Sequence, residues 1–166
     1  MPIDEKPRVI FVSKRNSLRS VLAHACLVHL VGTRFVVQSC GWPGHVAGQF
    51  HPAALGALAS ASMKAPEGEP KGWDRLRERG ARHARFIITL DEETRTVQPP
   101  WPGQPDTALW ALPDVAASTD AEKTAHGAIQ ILYMLQRRLE LFVNLPLAKG
   151  DRDAIRLDVR DLGTMR

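Results

Sequence analysis

The chain has 166 residues, of which 44% are hydrophobic and 24% are charged, and its formal net charge is +4. This length suits one domain with one core, and no stretch approaches the roughly 20 apolar residues that span a bilayer. The small positive charge favours anionic ligands in general but does not specify nucleic acid.

The amino-terminal residues 1–8 carry charges of both signs and run directly into an apolar segment, so no secretory leader is predicted and a cytoplasmic location is expected. The two cysteines, Cys26 and Cys40, exclude a disulfide framework, and neither belongs to a CxxC pair. The six histidines are scattered along the chain. We therefore predict no metal site and no cofactor.

In chain order, residues 9–12 are a short apolar run that predicts a buried parallel strand. After a polar loop, apolar residues recur at helical spacing from Leu18 to Val28, and Gly32 predicts the end of that helix. Residues 35–37 predict a second strand, which ends at residues 39–41. An alanine-rich helix is expected over residues 51–63.

Residues 64–85 are polar, and their most frequent charged residue is arginine. The five arginines are Arg75, Arg77, Arg79, Arg82 and Arg85. We interpret this segment as a solvated loop with a short helix, and the alternative is a basic docking surface for a protein partner. Nucleic acid is not expected to bind there, because no aromatic residues interleave with the arginines.

Residues 86–90 predict a third buried strand, residues 91–105 a proline-rich loop, and residues 108–112 a short fourth strand. Thr119-x-x-Glu122 matches a capping box at the start of the longest helix, which Pro146 ends. The apolar stripe of that helix consists of Ile129, Leu132, Leu135, Leu139 and Phe142. A last, charged helix is predicted from Asp151 onwards.

Strands that alternate with helices predict an α/β fold, here a three-layer α/β/α sandwich around a four-stranded parallel sheet. We expect one domain over residues 1–166, with its core over residues 7–147 and a C-terminal helix over residues 148–166. Ligands of such folds bind beyond the carboxyl ends of the strands. The loop after the first strand is therefore the expected place for chemistry.

That loop, residues 13–20, reads Ser-Lys-Arg-Asn-Ser-Leu-Arg-Ser. Its backbone N–H groups and the N-terminus of the following helix favour an anion, and Arg19 offers a bidentate fork to a tetrahedral oxyanion. The nucleotide-binding pattern GxxxxGK[ST] is absent. These features together predict an oxyanion cradle.

The loop resembles the Cys-x-x-Asn-x-x-Arg-Ser loop of low-molecular-weight tyrosine phosphatases and thioredoxin-type arsenate reductases. Asn16, Arg19 and Ser20 match this pattern, and residues 39–41 (Ser-Cys-Gly) resemble the family's Ser-Ala-Gly turn. Residues 101–105 (Trp-Pro-Gly-Gln-Pro) and 110–114 (Trp-Ala-Leu-Pro-Asp) resemble segments of the bacterial arsenate reductases. The resemblance runs from about Arg8 to Leu147 and implies the fold of the low-molecular-weight phosphatases.

The resemblance also implies roles for the site residues. Ser13 stands at the position of the nucleophilic cysteine, Arg19 at that of the anion-binding arginine, and Asp114 at that of the general acid. Asn16, Ser20 and Ser39 would brace the loop. The oxyanion would contact the loop residues, which are Ser13, Lys14, Arg15, Asn16, Ser17, Leu18 and Arg19.

Departures from the family pattern fall on its reactive groups. A serine hydroxyl at position 13 is far less acidic than a thiol, and the loop offers no base to activate it. Leu90 and Gln98 stand where the bacterial reductases carry the cysteines of their disulfide relay. Arg15 replaces a loop glycine and would widen the cationic mouth, block it or distort the loop. Val115 replaces the proline that usually follows the acid.

We therefore expect a catalytically inactive homologue that binds phosphate, sulfate or arsenate and acts as a sensor or an interaction module. The enzymatic alternative is a weak phosphatase, or another phosphoryl-transfer enzyme, that uses Ser13, Arg19 and Asp114. A third possibility is an interaction scaffold with a vestigial pocket, whose docking surface is the arginine-rich segment.

Overall fold

The computed structural model describes residues 6–77, 83–147 and 150–165. Its sheet has the order β2-β1-β3-β4, and all neighbouring strands are parallel. The strands are β1 (Arg8–Val12), β2 (Val36–Cys40), β3 (Phe86–Thr89) and β4 (Asp106–Leu109). The α-helices of the described residues are α1 (Arg19–Val31), α2 (Pro52–Ser60), α3 (Glu92–Val97), α4 (Ala121–Val143) and α5 (Arg152–Leu162). The predicted α/β fold with a four-stranded parallel sheet is confirmed.

Strand β1 is buried on both faces of the sheet, which explains its continuous apolar sequence. Val9 and Phe11 face the core that α1, α2 and α4 cover. Ile10 and Val12 point to the other face, where Cys40 and Trp73, the first residue of a 3-10 helix (Trp73–Arg75), pack against them.

The chain leaves β1 towards β2 on one side and later enters β3 on the other side of β1. This reversal creates a crevice at the carboxyl end of β1, the usual ligand position in open parallel sheets. Backbone hydrogen bonds hold the crevice walls together: Ser13 N donates to Cys40 O at 3.2 Å, and Leu90 N donates to Val12 O at 2.8 Å. The fold therefore presents residues 13–18 at this crevice.

Helix α4 packs against α1 and α2 through its buried apolar side. Leu135, Leu139 and Phe142 are fully buried, and the ring of Phe142 lies 5.2 Å from that of Phe86 in an edge-to-face arrangement. Although α4 has 23 residues, no helix within residues 6–77, 83–147 and 150–165 is long and apolar enough to cross a membrane.

Helix α5 covers the edge strand β4. Trp110 Nε1 donates to Val159 O at 2.8 Å, and Arg160 Nε donates to Thr107 O at 3.0 Å. The buried carboxylate of Asp106 forms an ion pair with Arg85 and lies 3.5 Å from Arg152 Nε on α5. These contacts occupy part of the otherwise unpaired strand edge, which protects it from pairing with another chain.

Three predicted features differ from the structure. The fourth strand lies at Asp106–Leu109 rather than at residues 108–112, because the charged Asp106 is neutralised by arginines while Trp110 turns into the core. The cap of α4 is Asp120, not Thr119, since the Asp120 carboxylate accepts from Glu122 N at 3.0 Å. Helix α3 lies in a segment that was predicted to be entirely loop.

Candidate functional site

Residues 13–18 join β1 to α1 at the crevice, and all of them except Lys14 and Arg15 are buried. Asn16 adopts the left-handed conformation, with φ at 51°, which asparagine tolerates better than most residues. Its amide locks this turn, because Oδ1 accepts from Lys71 N at 3.0 Å and Nδ2 donates to Ser20 Oγ at 2.8 Å. The loop is thus held by a side chain from within it.

Three carbonyl groups of the loop are bonded outside it. They accept backbone hydrogen bonds from the neighbouring segment 42–51, at 2.9 to 3.0 Å. The pairs are Lys14 O with Trp42 N, Arg15 O with Ala47 N, and Ser17 O with His51 N. No hydrogen bond to the described part of the chain is found for the N–H groups of Arg15, Ser17, Leu18 and Arg19. Outward carbonyls and unused N–H groups form the arrangement that binds anions at helix N-termini.

A glycine permits the loop to sit this close to the end of β2. A Cβ atom at Gly41 would lie 2.9 Å from Lys14 O and 3.0 Å from Ser13 O. Gly41 also exchanges backbone hydrogen bonds with the segment that precedes the 3-10 helix: its N–H donates to Lys71 O at 2.8 Å, and its carbonyl accepts from Trp73 N at 2.9 Å. Segment 71–73 is thereby tied to the end of β2, next to the loop.

The hydroxyl of Ser13 is buried within the loop. Ser13 is 2% exposed, and its Oγ donates to Ser20 Oγ at 2.7 Å. Ser20 N also approaches Ser13 Oγ at 3.4 Å. Ser13, Asn16 and Ser20 therefore form one buried hydrogen-bonded group that fixes the start of α1.

Asp91, two residues after the end of β3, connects three parts of the site. One carboxylate oxygen accepts from Lys14 N at 3.0 Å and lies 3.7 Å from Arg19 Nη2, and the other caps α3 by accepting from Thr94 N at 2.8 Å. Arg19 Nη1 donates in addition to Leu112 O at 3.2 Å. The sequence analysis did not single out Asp91, although an aspartate followed by two glutamates, Glu92 and Glu93, is a typical signal for the start of a helix.

The loop forms one wall of an open cleft of about 910 Å³. Asp114 lines the same cleft as Lys14, Arg15 and Arg19, so the structure brings the predicted acid and the predicted anion-binding arginine to one cavity. Asp114 is exposed and precedes a 3-10 helix (Val115–Ala117) that packs on α4. The adjacent segment 44–52 forms another part of the lining.

Ser39 lies apart from the hydrogen bonds that brace the loop. Its hydroxyl is 3.0 Å from His24 Nδ1 on α1, because successive strand residues alternate and Ser39 faces α1 beside Phe11. Burial lowers the pKa of His24, the positive charge of Lys71 adds a smaller effect in the same direction, and together they bring it to about 4. His24 is therefore a neutral partner of Ser39 at physiological pH.

Neither cysteine lies in a reactive environment. Cys26 and Cys40 are both fully buried among apolar residues, and burial raises the pKa of the Cys26 thiol to about 12 and also raises that of Cys40. Leu90 is buried in the core, and Gln98 joins Thr89 Oγ1 at 3.0 Å to the indole of Trp101. Both residues are therefore integrated into the fold as packing and hydrogen-bonding groups.

The arginine-rich segment does not present a single free surface in the described part of the chain. Arg77 donates to Pro100 O at 2.8 Å and stacks over Trp101, and Arg85 pairs with the buried Asp106. Arg75 is exposed, and Arg79 and Arg82 lie outside the described residues. Among the described residues, no group of three or more His, Cys, Asp or Glu side chains is placed to hold a metal ion.

The chain is similar in sequence and fold to known proteins. Residues 8–105 match the sequence model of the family described as low molecular weight phosphotyrosine protein phosphatase. Among curated protein sequences, none matches the chain. The chain is 25% identical to a thioredoxin-dependent arsenate reductase of Corynebacterium glutamicum, with 89% of this chain covered and a TM-score of 0.64. It spans 65% of that relative, less than two thirds of its length.

Two further solved structures share the fold at lower identity. An arsenate reductase in the phosphate binding state is 20% identical, with a TM-score of 0.65 and coverage of 82% of this chain and 96% of that one. A tyrosine phosphatase of Erwinia amylovora is 15% identical, with a TM-score of 0.63 and coverage of 87% and 95%.

Proposed function

Because the chain belongs to the low molecular weight phosphotyrosine protein phosphatase family, we propose that it binds a phosphate-like oxyanion in residues 13–19 without the family's thiol chemistry. The observation that carries this proposal is the polarity of the loop. Three of its carbonyls are bonded to segment 42–51, while the N–H groups of four loop residues at the N-terminus of α1 make no hydrogen bond to the described part of the chain.

Arg19 supplies the charge for this binding. Its guanidinium is held at the crevice by Leu112 O and Asp91, so little side-chain entropy remains to be lost when an anion arrives. A phosphate, sulfate or arsenate ion would receive charge-assisted hydrogen bonds from Arg19 in addition to those from the backbone. One relative of the same fold is an arsenate reductase with a phosphate binding state, which supports this class of ligand.

We propose that the protein is not a catalyst because a serine hydroxyl stands at the nucleophile position. Ser13 bears a hydroxyl that is buried and hydrogen-bonded to Ser20, and no base is placed beside it among the described residues. The only thiols of the chain, Cys26 and Cys40, are buried in the core with raised pKa values. We therefore propose a binding protein, such as a sensor or an interaction module, rather than a reductase or a phosphatase.

Calorimetric titration with phosphate, arsenate and vanadate tests the binding. We expect saturable binding by the parent protein and a loss of about 10- to 100-fold in the Arg19→Ala variant, the usual range for one charge-assisted hydrogen-bonding group. Arg75→Ala removes an equal charge from an exposed site outside the cleft and should bind like the parent. Equal binding by Arg19→Ala and the parent, or no binding by either, would refute the proposal.

A weak phosphatase is the enzymatic alternative, and the shared cleft of Arg19 and Asp114 is the observation in its favour. Turnover of an aryl phosphate by the parent, Ser13→Ala and Asp114→Asn separates the two functions. If the protein only binds the anion, neither substitution should lower the rate of aryl phosphate hydrolysis. A rate in the parent that falls in both variants would instead establish the enzyme.

A further inference from the structure

We propose that the ligand of this cleft is an organic phosphate that carries a second anionic group, and that Arg15 binds this second group. The proposal rests on the proposed function, because it takes the phosphate to occupy residues 13–19. It adds that the ligand has an organic body with a second negatively charged group.

The size of the cleft is the first argument. At about 910 Å³ it lies at the upper end of the range of roughly 300–1,000 Å³ that is typical of sites for organic ligands. A tetrahedral oxyanion in the loop would fill only a small part of this volume. The remaining space is bounded by segment 44–52 and by the 3-10 helix after Asp114.

The balance of charge in the lining is the second argument. Three cationic side chains and the carboxylate of Asp114 line the cleft. Two of the cations have acidic neighbours: Lys14 Nζ is 3.0 Å from Glu93, and Arg19 Nη2 is 3.7 Å from Asp91. For the Arg15 side chain, no hydrogen bond or ion pair to residues 6–77, 83–147 and 150–165 is found. A phosphate bound by Arg19 and the loop N–H groups would leave the charge of Arg15 available to another anion.

The Arg15 side chain extends from a fixed backbone position. Its backbone carbonyl accepts from Ala47 N at 3.0 Å. The next residue, Asn16, is held in its left-handed conformation because both the oxygen and the nitrogen of its side-chain amide form hydrogen bonds. Arg15 itself does not have a positive φ, so an arginine occupies this position without backbone strain. The exposed guanidinium therefore extends from a rigid rim directly beside the cradle, where its planar fork suits a carboxylate or a second phosphate.

Segment 44–52, which borders Arg15, offers contacts to the body of such a ligand. His51 Nδ1 accepts from Ala53 N at 3.0 Å, which places the proton of the neutral ring on Nε2 and makes that atom a donor. The indole of Trp42 stacks on His45 at 4.0 Å between ring centroids, which stiffens the same segment. His45 and His51 both line the cleft.

The test compares three probes that differ by one group at a time: inorganic phosphate, phenyl phosphate and 4-carboxyphenyl phosphate. Calorimetry is carried out on the parent, on Arg15→Gln and on Arg75→Gln, which removes the same charge outside the cleft. In the parent we expect the added carboxylate to tighten binding by about tenfold, the gain of one charged hydrogen-bonding contact. Within each protein the gain is the ratio of the affinities for 4-carboxyphenyl phosphate and phenyl phosphate. It should disappear in Arg15→Gln and persist in Arg75→Gln, and Arg75→Gln should bind inorganic phosphate within about threefold of the parent.

The outcomes separate this inference from the proposed function. If the parent does not bind inorganic phosphate, the proposed function fails and this inference fails with it. If phosphate binds in an Arg19-dependent manner but the carboxylate brings no gain, only this inference is overturned. If Arg75→Gln loses the affinity gain from the carboxylate as fully as Arg15→Gln does, the gain arises from the net charge of the protein. If Arg15→Gln binds all three probes more tightly than the parent, Arg15 obstructs the cleft. Either result overturns the inference.

Discussion

The side chain of Val115 occupies the space that a side chain at Gly127 would need. A Cβ atom at Gly127 of α4 would lie 2.6 Å from Val115 Cγ1 and 2.9 Å from Val115 Cβ. Thr124 Oγ1 also donates to Val115 O at 3.2 Å. Because Val115 directly follows Asp114, packing on α4 holds the acid segment in place where the resemblance predicted a proline.

Gly127→Ala should therefore destabilise the protein, although alanine is normally about 1 kcal/mol better than glycine inside a helix. The new methyl group meets a stiff, β-branched side chain, and relief requires Val115 to move away from α4. We expect a net loss of about 1–3 kcal/mol in the free energy of unfolding, measured by urea denaturation.

Gly56→Ala is the matched control for this substitution. Gly56 lies inside α2, it is exposed, and a Cβ there has no neighbour within 4 Å. The same change should stabilise the protein at this position by about 0.4–1 kcal/mol. Stabilisation of similar size at both positions would show that Val115 does not pack against Gly127 as described.

Asp91 should prove important for stability because it satisfies two backbone donors with two different oxygens. Lys14 N and Thr94 N each bond to their own oxygen of the carboxylate. An asparagine offers only one acceptor oxygen, so Asp91→Asn should lose about 1 kcal/mol, whereas Asp91→Ala loses both partners and about 2–3 kcal/mol. Urea denaturation of the three proteins gives this order, and an equal effect of the two variants would contradict it.

Much of this fold is predictable from patterns of apolar residues. Strands β1, β2 and β3 and helices α1, α2, α4 and α5 were all anticipated, because each buries a continuous run or a periodic stripe. Helix α3 was missed because it has six residues, two of them threonines, and lies beside a proline-rich loop. In that case the cap at Asp91 outweighs the weak intrinsic propensity of the helix.

The candidate site was less predictable, because its geometry depends on contacts between distant segments. The pattern of residues 13–20 indicated an oxyanion loop, and the structure places Arg19 and Asp114 at one cleft. Periodicity and spacing carry no information on the outward hydrogen bonds to segment 42–51 or on the link from Asp91 to Lys14. Ser39 was assigned to the loop by analogy, but its orientation on β2 directs it to His24.

If the missing thiol is what prevents catalysis, Ser13→Cys should create a reactive site. The N-terminus of α1 and Arg19 would lower the pKa of the new thiol, while Cys26 and Cys40 remain buried. We expect one equivalent of thiol to react with iodoacetate in the folded variant and none in the parent, with protection by phosphate. Turnover of p-nitrophenyl phosphate should exceed that of the parent by at least about a hundredfold.

Ser13→Cys/Arg19→Ala is the control for that experiment, since it keeps the thiol but removes the anion-binding arginine. Its turnover should fall back towards the parent rate. A Ser13→Cys protein that is alkylated quickly but hydrolyses nothing would show that the other departures, Arg15 or Val115, also disable the site.

The stability of the protein should depend on pH through His24. Burial lowers the pKa of His24 to about 4 in the folded chain, whereas an unfolded histidine titrates near 6.5. The unfolded chain therefore binds a proton more readily, and lowering the pH from about 6.5 to 4 favours unfolding. The shift corresponds to roughly 3 kcal/mol over the whole window and to about 2 kcal/mol by pH 5.

Carboxylates also titrate in this window, so the measurement is a comparison with His24→Gln. Glutamine does not titrate and keeps a polar group near Ser39, which isolates the contribution of the imidazole. Between pH 7.5 and 5 the free energy of unfolding of the parent should fall more steeply than that of the variant, by about 2 kcal/mol. Parallel profiles would mean that His24 is solvated well enough to accept its proton in the folded state.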